Sequence, residues 1–275
     1  MYITMSSAQN GPVGKQPLLE SLDLLERLPI RRFEVFGFPE HLDVRDAALV
    51  KQAAKEGLRR GLRWESIHAP AWKGPYDLSS LDETTRREAV NWNAAAIRAI
   101  RELGGAYCVT HGGDRIENPD ERPARLAQAA RSFQDLLPIA EKEQIVIALE
   151  NILDPYSPRC LAESVQLMKD AKSTWFRPIF DVGHAFLSDG LDVWLDAIAQ
   201  PGWDIIAVHV TDNHGRVRNT SDDDEHLFPF RGVIPWDEVF QKIRTTGFDG
   251  AVTIECPMDD ELFPRFRKLV LGKES

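Results

Sequence analysis

Short apolar runs rich in β-forming residues alternate along the chain with longer stretches in which apolar residues recur every three or four positions. The short runs indicate buried strands, and the longer stretches indicate amphipathic helices. This alternation is typical of parallel strands joined by crossover helices. The predicted strands are residues 2–7, 32–37, 63–68, 106–111, 145–150, 176–181, 204–210 and 251–256. Because there are eight, each with a helix predicted after it, we predict an α/β fold of the (β/α)₈ (TIM) barrel type.

Two of the predicted helices are clear from the sequence, one by its start and stop signals and the other by its apolar spacing. The first, at residues 82–103, follows Ser80 and Glu83, which have the spacing of a capping box, and it stops at a Gly-Gly pair. The second, at residues 122–142, repeats its apolar residues at alternating spacings of four and three. Pro138 lies inside it and should bend or shorten the helix, because proline lacks a backbone donor and clashes with the preceding turn.

The chain has 275 residues, 43% of them hydrophobic and 28% charged, which suffices for a sizeable core. Neither a low-complexity linker nor a break in composition divides it, so we expect a single domain over residues 1–275. The formal charge of -10 argues against binding of nucleic acid or anionic lipid over a broad basic surface. It does not exclude a local cluster of basic residues at the rim of the barrel. The sequence leaves a homo-oligomer open as well.

The three cysteines form no Cys-x-x-Cys pair, and their odd number argues against a complete disulfide framework. The first residues include neither a basic segment nor a long apolar stretch. No uncharged apolar run approaches the ~20 residues that span a bilayer. We therefore expect a cytoplasmic protein with neither an export signal nor a membrane anchor.

The residues that close the predicted strands are mostly of metal-binding types. They are His68, His111, Glu150, Asp181, His209 and Glu255, with His184 three residues beyond Asp181. Taken singly, each has an ordinary structural explanation, but the carboxyl ends of barrel strands all meet at one mouth. Several carboxylates aimed at one point repel each other unless a cation compensates them. The sequence therefore predicts a divalent metal, and oxygen and imidazole donors suit Mn²⁺, Mg²⁺, Co²⁺ or Zn²⁺.

The long connection after the seventh strand contains more side chains of the same types. They are Asp212, His214, Asp224 and His226. An acidic cluster in a solvated loop explains them as well as further metal ligation does, and the sequence does not decide between the two.

Seven segments together, in this order, resemble the xylose-isomerase-like barrel superfamily over nearly the whole chain. They are residues 67–70, 77–80, 111–113, 149–151, 180–184, 209–212 and 232–236. That superfamily includes sugar isomerases and epimerases, inosose and dehydroshikimate dehydratases, and zinc-dependent apurinic endonucleases. The resemblance implies that the shared metal ligands are Glu150, Asp181, His209 and Glu255. It also implies that Glu150 and Glu255 exchange protons with a substrate while a metal stabilises the developing enediolate.

Three further residues are weaker candidates for contact with a substrate. The resemblance places His184 where the family contacts a substrate hydroxyl. Arg216 lies where a basic loop residue could meet a substrate oxygen. Trp72 could form an apolar wall for a sugar face, although packing explains it equally well.

We predict that the protein is a divalent-metal-dependent isomerase or epimerase of a small sugar or polyol-derived ketone. A zinc-dependent endonuclease with three metals is the alternative, since its ligand pattern can be matched by His68, His111, Glu150, Asp181, His184, His209, Asp224, His226 and Glu255. The acidic charge and the absence of a basic, aromatic-interleaved stretch argue against it. A dehydratase stays open because the same proton removal can precede loss of a β-hydroxyl. A non-enzymatic barrel would leave the paired glutamates unexplained.

Overall fold

The computed structural model describes residues 1–9, 16–72, 74–217 and 221–272. Within this part of the chain the strands are β1 (Tyr2–Ser6), β2 (Arg32–Phe36), β3 (Arg63–His68), β4 (Tyr107–Thr110), β5 (Val146–Glu150), β6 (Phe176–Asp181), β7 (Ala207–Val210) and β8 (Ala251–Ile254). All are parallel to their neighbours, and they form a closed barrel in chain order, with β8 paired to β1. The predicted (β/α)₈ barrel is confirmed, and every predicted strand is present.

The predicted helices follow the strands. Among the described residues they are α1 (Leu18–Arg27), α2 (Pro39–Leu42), α3 (Ala47–Arg59), α4 (Glu83–Leu103), α5 (Arg122–Glu143), α6 (Leu161–Ala171), α7 (Val182–Leu187), α8 (Leu191–Ile198), α9 (Trp236–Thr245) and α10 (Phe263–Leu271). Short 3₁₀ turns lie at Pro119–Glu121 and Ser221–Asp223. None of the helices described has both the length and the apolar character to cross a bilayer. That the domain takes in all of residues 1–275 stays a prediction.

The start of α4 differs from the predicted capping box. Asp82 is the capping residue, and its Oδ1 accepts a hydrogen bond from the Thr85 backbone N–H at 2.8 Å. Ser80 instead accepts from the Asp82 backbone N–H at 3.2 Å and shapes the turn before the helix. The predicted stop is confirmed, because Gly104 ends the helix with a left-handed φ of 85°.

Pro138 does not shorten α5, since the helix runs on to Glu143. The other predicted outcome, a bend at Pro138, stays a prediction. Proline in a helix costs about 3 kcal/mol, so tertiary packing has to outweigh it. That packing comes from residues on both sides of Pro138, among them Phe133 and Ala140, which are fully buried in the core between the helices and the barrel.

The barrel interior is built from alternate residues of each strand. Because successive side chains of a strand point to opposite faces, Ala148 and Glu150 of β5 share one face, as do Ala207 and His209 of β7. The apolar members of this face form an interior cluster of Tyr107, Val109, Ala148, Ile179, Ala207 and Ala251. The polar residues that end the same strands continue this interior column to the carboxyl end of the barrel.

Candidate metal centre

Four side chains at the carboxyl ends of β5 to β8 converge on one point. Glu150 ends β5, Asp181 ends β6, His209 lies in β7, and Glu255 directly follows β8. One donor atom of each lies within 4.8 Å of those of the other three. His209 Nδ1 is 3.0 Å from Glu150 Oε1 and 3.0 Å from Glu255 Oε2. The structure thus brings together the four residues predicted as the main site, which we call the central group.

Glu150 belongs to a second set of donors on its other side. Its Oε2 lies 3.2 Å from His68 Nε2 and 3.1 Å from His111 Nε2. His68 ends β3 and His111 directly follows β4, so both reach the mouth beside β5. These three residues, which we call the His68 group, are buried, and their donor atoms also lie within 4.8 Å of one another.

A third set combines α7 with the loop after β7. Asp181 caps α7 by accepting a hydrogen bond from the His184 backbone N–H at 2.6 Å, which fixes His184 beside the central group. Asp224 Oδ2 lies 3.2 Å from His184 Nε2 and 3.1 Å from His226 Nε2. His184, Asp224 and His226 meet the same distance criterion, and we call them the Asp224 group.

Asp212 organises the loop that delivers Asp224 and His226. Its buried carboxylate accepts hydrogen bonds from the backbone amides of Asn213, Phe230 and Ile234 and from the Trp236 indole N–H. Asp212 is therefore a loop anchor and not part of the donor groups. His214 is exposed and pairs with Glu225 at 2.9 Å, outside the cavity.

The pKa values of Glu150 and Asp181, the two buried carboxyl groups of the central group, are shifted in opposite directions. Burial opposes the ionisation of Glu150, but the charge of His209 and the hydrogen bonds from His111 and His68 hold its pKa well below the ordinary value. Burial also acts on Asp181, and there it prevails and raises the pKa to about 7. Divergent acidities among neighbouring carboxyl groups are typical of sites that bind cations or move protons.

The histidines respond to the same carboxylates. Despite burial, Glu255, Glu34 and Glu150 raise the pKa of His209 well above its ordinary value. Asp181 and Asp224 do the same for His184, and Asp224 raises the pKa of His226 to about 10. Imidazolium protons and a divalent cation are alternative means of balancing one set of negative charges.

The donor set fits a divalent metal. Asp181 Oδ2 and Asp224 Oδ1 are buried without a hydrogen-bond partner among the residues described. A buried carboxylate oxygen without a partner is costly, and a cation at its donor group would satisfy it. The mixture of imidazole nitrogen and carboxylate oxygen excludes none of Mn²⁺, Mg²⁺, Co²⁺ and Zn²⁺. The buried His, Glu and Asp side chains could therefore bind a metal, and their individual roles as ligands stay a prediction.

Members of all three donor groups line a cavity of about 300 Å³, although Asp181 and His209 of the central group are not among its lining residues. Phe36 and Trp72 line it on one side, and Trp72 stacks on His68 with ring centroids 5.7 Å apart. Ile152, Leu153 and Tyr156, from the loop after β5, also line it. Trp72 therefore lies in the cavity wall, and its predicted contact with a sugar face stays a prediction.

Arg216 does not line this cavity among the described residues. It is exposed, and its Nε donates to the Leu187 carbonyl oxygen at the end of α7. Its predicted contact with a substrate oxygen has no support in this geometry and stays a prediction.

Two residues near the site were missed by sequence reasoning. Glu34 of β2 is buried inside the barrel, where its Oε2 accepts a hydrogen bond from Ser66 Oγ at 2.7 Å. Arg122 of α5 is buried and donates to the carbonyl oxygens of Pro155 and Tyr156, which fastens the cavity-lining loop. A signal existed only for Glu34, since it is an acidic residue in the middle of a predicted strand.

The fold and the site define the class as a closed (β/α)₈ barrel with histidine and carboxylate side chains gathered at the carboxyl ends of its strands. The family model for xylose isomerase-like TIM barrels matches residues 22–270, and the chain belongs to this family. It is similar to the uncharacterized protein MJ1311 of Methanocaldococcus jannaschii, with 30% identity over 195 residues. That match covers 69% of this chain and 63% of the Methanocaldococcus protein, so the chain spans less than two thirds of that relative.

A second relative is the uncharacterized protein y4fM of Sinorhizobium fredii, with 28% identity over 219 residues. The match covers 72% of this chain and 68% of that protein.

Solved structures of the same fold include sugar epimerases. A D-tagatose 3-epimerase-like protein superposes with a TM-score of 0.82 at 24% identity, covering 99% of both chains. D-psicose 3-epimerase in the presence of D-fructose gives 0.75 at 17% identity, covering 94% of this chain and 85% of that one. The IolI protein with a bound zinc atom gives 0.74 at 16% identity, covering 99% and 96%. At these identities the likeness establishes the fold.

Proposed function

We propose that the protein is a divalent-metal-dependent isomerase or epimerase of a small sugar or polyol-derived ketone. The observation that carries this is the pair of glutamates Glu150 and Glu255, which both line the cavity and each place an oxygen 3.0 Å from His209 Nδ1. Two carboxylates beside one donor nitrogen can hold a cation and can also take and return a proton. The names of the similar structures, a tagatose epimerase-like protein and a psicose epimerase, support the same class.

The proposed roles divide within the central group. A bound divalent ion would polarise a substrate carbonyl and stabilise the negative charge that develops on its oxygen. Asp181 and His209 would serve to hold it. Glu150 is oriented by His68 and His111 through its Oε2, which suits it to take the proton from the carbon beside the carbonyl. Glu255, whose Oε2 lies 3.0 Å from the same His209 Nδ1, would return a proton to the other face of the substrate.

The cavity favours a neutral substrate of monosaccharide size. About 300 Å³ lies at the lower end of the range for small-molecule sites. Its described lining residues include no lysine or arginine, which are the usual partners of phosphate groups. Trp72 offers an aromatic face to a sugar ring, and the histidines offer donors to its hydroxyls.

The test is exchange of a carbon-bound proton with solvent. The protein, loaded separately with Mn²⁺, Mg²⁺, Co²⁺ or Zn²⁺, is incubated with a panel of ketoses and keto-polyols in D₂O and followed by NMR. Glu150→Gln should lower the exchange rate by about 100-fold or more, because it removes a base and a ligand charge together. Glu225→Gln makes the same change on a residue paired with His214 outside the cavity, and it should keep the wild-type rate.

Exchange that survives intact in Glu150→Gln would refute the proposed mechanism. Loss of water from the substrate, seen as an unsaturated or deoxygenated product, would reassign the protein to the dehydratases.

A second candidate, hydrolysis of phosphodiesters with three metals, is favoured by one observation. The three donor groups together contain all nine side chains that this alternative requires. Metal content per chain separates the two functions, since proton transfer on a sugar needs about one ion and phosphodiester hydrolysis by this route about three. Asp224→Asn should then remove one of three ions and abolish nicking of duplex DNA at an abasic site. A single ion per chain and uncut DNA would reject this candidate.

A further inference from the structure

Glu34 lies inside the barrel next to the central group, and neither proposed reaction uses it. It is 1% exposed. Among the described residues no lysine or arginine pairs with it, and its ion-pair partner is His209, whose Nε2 lies 3.5 Å from Glu34 Oε2. Ser66 Oγ donates to the same oxygen at 2.7 Å and so orients the carboxylate. A buried carboxylate without a cationic side chain is costly, so its location calls for a reason.

The two nitrogens of His209 face different surroundings. Nδ1 faces the central group, with Glu150 and Glu255 oxygens 3.0 Å away. Nε2 is buried on the opposite side of the ring and makes no hydrogen bond of ordinary length to any described residue. Glu34 is the acceptor that the structure places beside it.

A neutral imidazole carries one proton, and the ring nitrogen without it is the one that can bind a metal. If Nδ1 is the donor atom of the central group, the proton must sit on Nε2. An Nε2–H buried beside a carboxylate is stabilised, whereas the other tautomer would turn a lone pair toward that carboxylate and be repelled.

We propose that Glu34 is a positioning residue that fixes the tautomer of His209, so that its Nδ1 lone pair faces Glu150 and Glu255. This inference rests on the metal site of the proposed function. Glu34 acts through His209 and touches neither metal nor substrate. Its carboxylate orients the ring and makes the imidazole a stronger donor. Partners of this kind typically change metal affinity by about 10- to 100-fold.

Two substitutions separate the charge of Glu34 from its ability to accept a hydrogen bond. Glu34→Gln keeps the shape and an acceptor oxygen but loses the charge, and Glu34→Leu loses both. Glu65→Gln is the matched control, because Glu65 is a barrel glutamate that bonds Tyr2 and Arg32 and does not line the cavity. Circular dichroism and thermal melting verify that each variant is folded.

The first measurement is Zn²⁺ affinity by competition with a chromophoric chelator. We expect the Zn²⁺ affinity to decrease from the wild type to Glu34→Gln and further to Glu34→Leu. The affinity of Glu34→Leu should be about tenfold or more below that of the wild type, and Glu65→Gln should keep the wild-type affinity. The second is ¹H–¹⁵N NMR of histidine-labelled, Zn²⁺-loaded protein, with the His209 signal assigned by its loss in His209→Gln. The wild-type signal should show the proton on Nε2.

The outcomes distinguish the role of Glu34 from the existence of the metal site. Zn²⁺ binding by the wild type with equal affinity in both Glu34 variants, or a proton on His209 Nδ1, would overturn the role of Glu34 and leave the metal site standing. A wild type that binds no Zn²⁺ and no other divalent ion would overturn the proposed function and this inference with it.

Discussion

His41 should make the stability of the barrel fall between neutral and mildly acidic pH. The ring is buried in α2, with Nε2 2.8 Å from Ser7 Oγ and Nδ1 hydrogen-bonded to the Gln16 carbonyl oxygen. Burial lowers the pKa to about 4, and the bond to Gln16 offsets this only in part. In the unfolded chain the ordinary value is 6.5. Below pH 6.5 the unfolded chain therefore binds a proton that the folded protein refuses, and stability is lost as the pH falls from about 6.5 to 4.

The size of this effect follows from the two pKa values. Linkage gives a loss of about 2 kcal/mol at pH 5 and about 3 kcal/mol at pH 4, relative to pH above 7. The assay is urea unfolding at pH 7 and pH 5, with EDTA present, for the wild type, His41→Gln and Ser7→Ala. The fall from pH 7 to pH 5 should be about 2 kcal/mol smaller in His41→Gln. Ser7→Ala, which keeps the titrating ring, should lose stability at both pH values and retain most of the pH dependence.

Equal falls in the wild type and His41→Gln would refute the reasoning, because every other titrating group is common to both proteins. The result also concerns the cavity. Ser7 directly follows Ser6, which lines it, so protonation of His41 would loosen one edge of the mouth.

Two further predictions concern the cavity wall and the loop after β7. Trp72→Ala should raise KM several-fold, which corresponds to about 1 kcal/mol of binding free energy, and should change kcat less. Trp72→Phe should recover the wild-type KM. An unchanged KM in Trp72→Ala would show that the ring only packs on His68. Gly232→Ala should destabilise the protein by about 1–3 kcal/mol in urea unfolding, because the added Cβ would lie 2.3 Å from the Asn213 carbonyl oxygen and 2.3 Å from Asp212 Oδ1. An unchanged unfolding midpoint in Gly232→Ala would contradict this close backbone approach.

The sequence was sufficient for the barrel and for the meeting of the strand-end side chains for one physical reason, whereas the choice of the four residues of the central group came from the family resemblance. In a closed parallel barrel, strand order and side-chain alternation are fixed by the backbone. The position of a strand-end side chain at the mouth of the barrel therefore follows from its place in the strand. Glu150 and Asp181 follow this rule directly. Finding the strand ends therefore amounted to finding most of the site.

Loop residues follow no such rule. Asp224 and His226 reach the mouth of the barrel, while His214 in the same connection does not. The difference depends on the hydrogen bonds that the Asp212 carboxylate accepts from backbone amides distant in the sequence. Arg216 lies in the same connection and is not among the described residues that line the cavity. Glu34 escaped notice because it lies in the middle of a strand, where a single charged residue has no motif around it.

The decisive question about function is how Glu150 uses its two oxygens. Oε1 faces His209 in the central group at 3.0 Å, and Oε2 faces His68 and His111 at 3.2 and 3.1 Å. A metal in the central group alone would engage one side of the carboxylate and leave the other able to accept a proton. His68, His111 and Glu150 would hold a second ion in the His68 group, and Glu150 would then serve as a ligand on both sides and be a weaker proton acceptor. The same nine side chains can thus support proton transfer or phosphodiester hydrolysis, and the number of ions held at the His68 group decides between them.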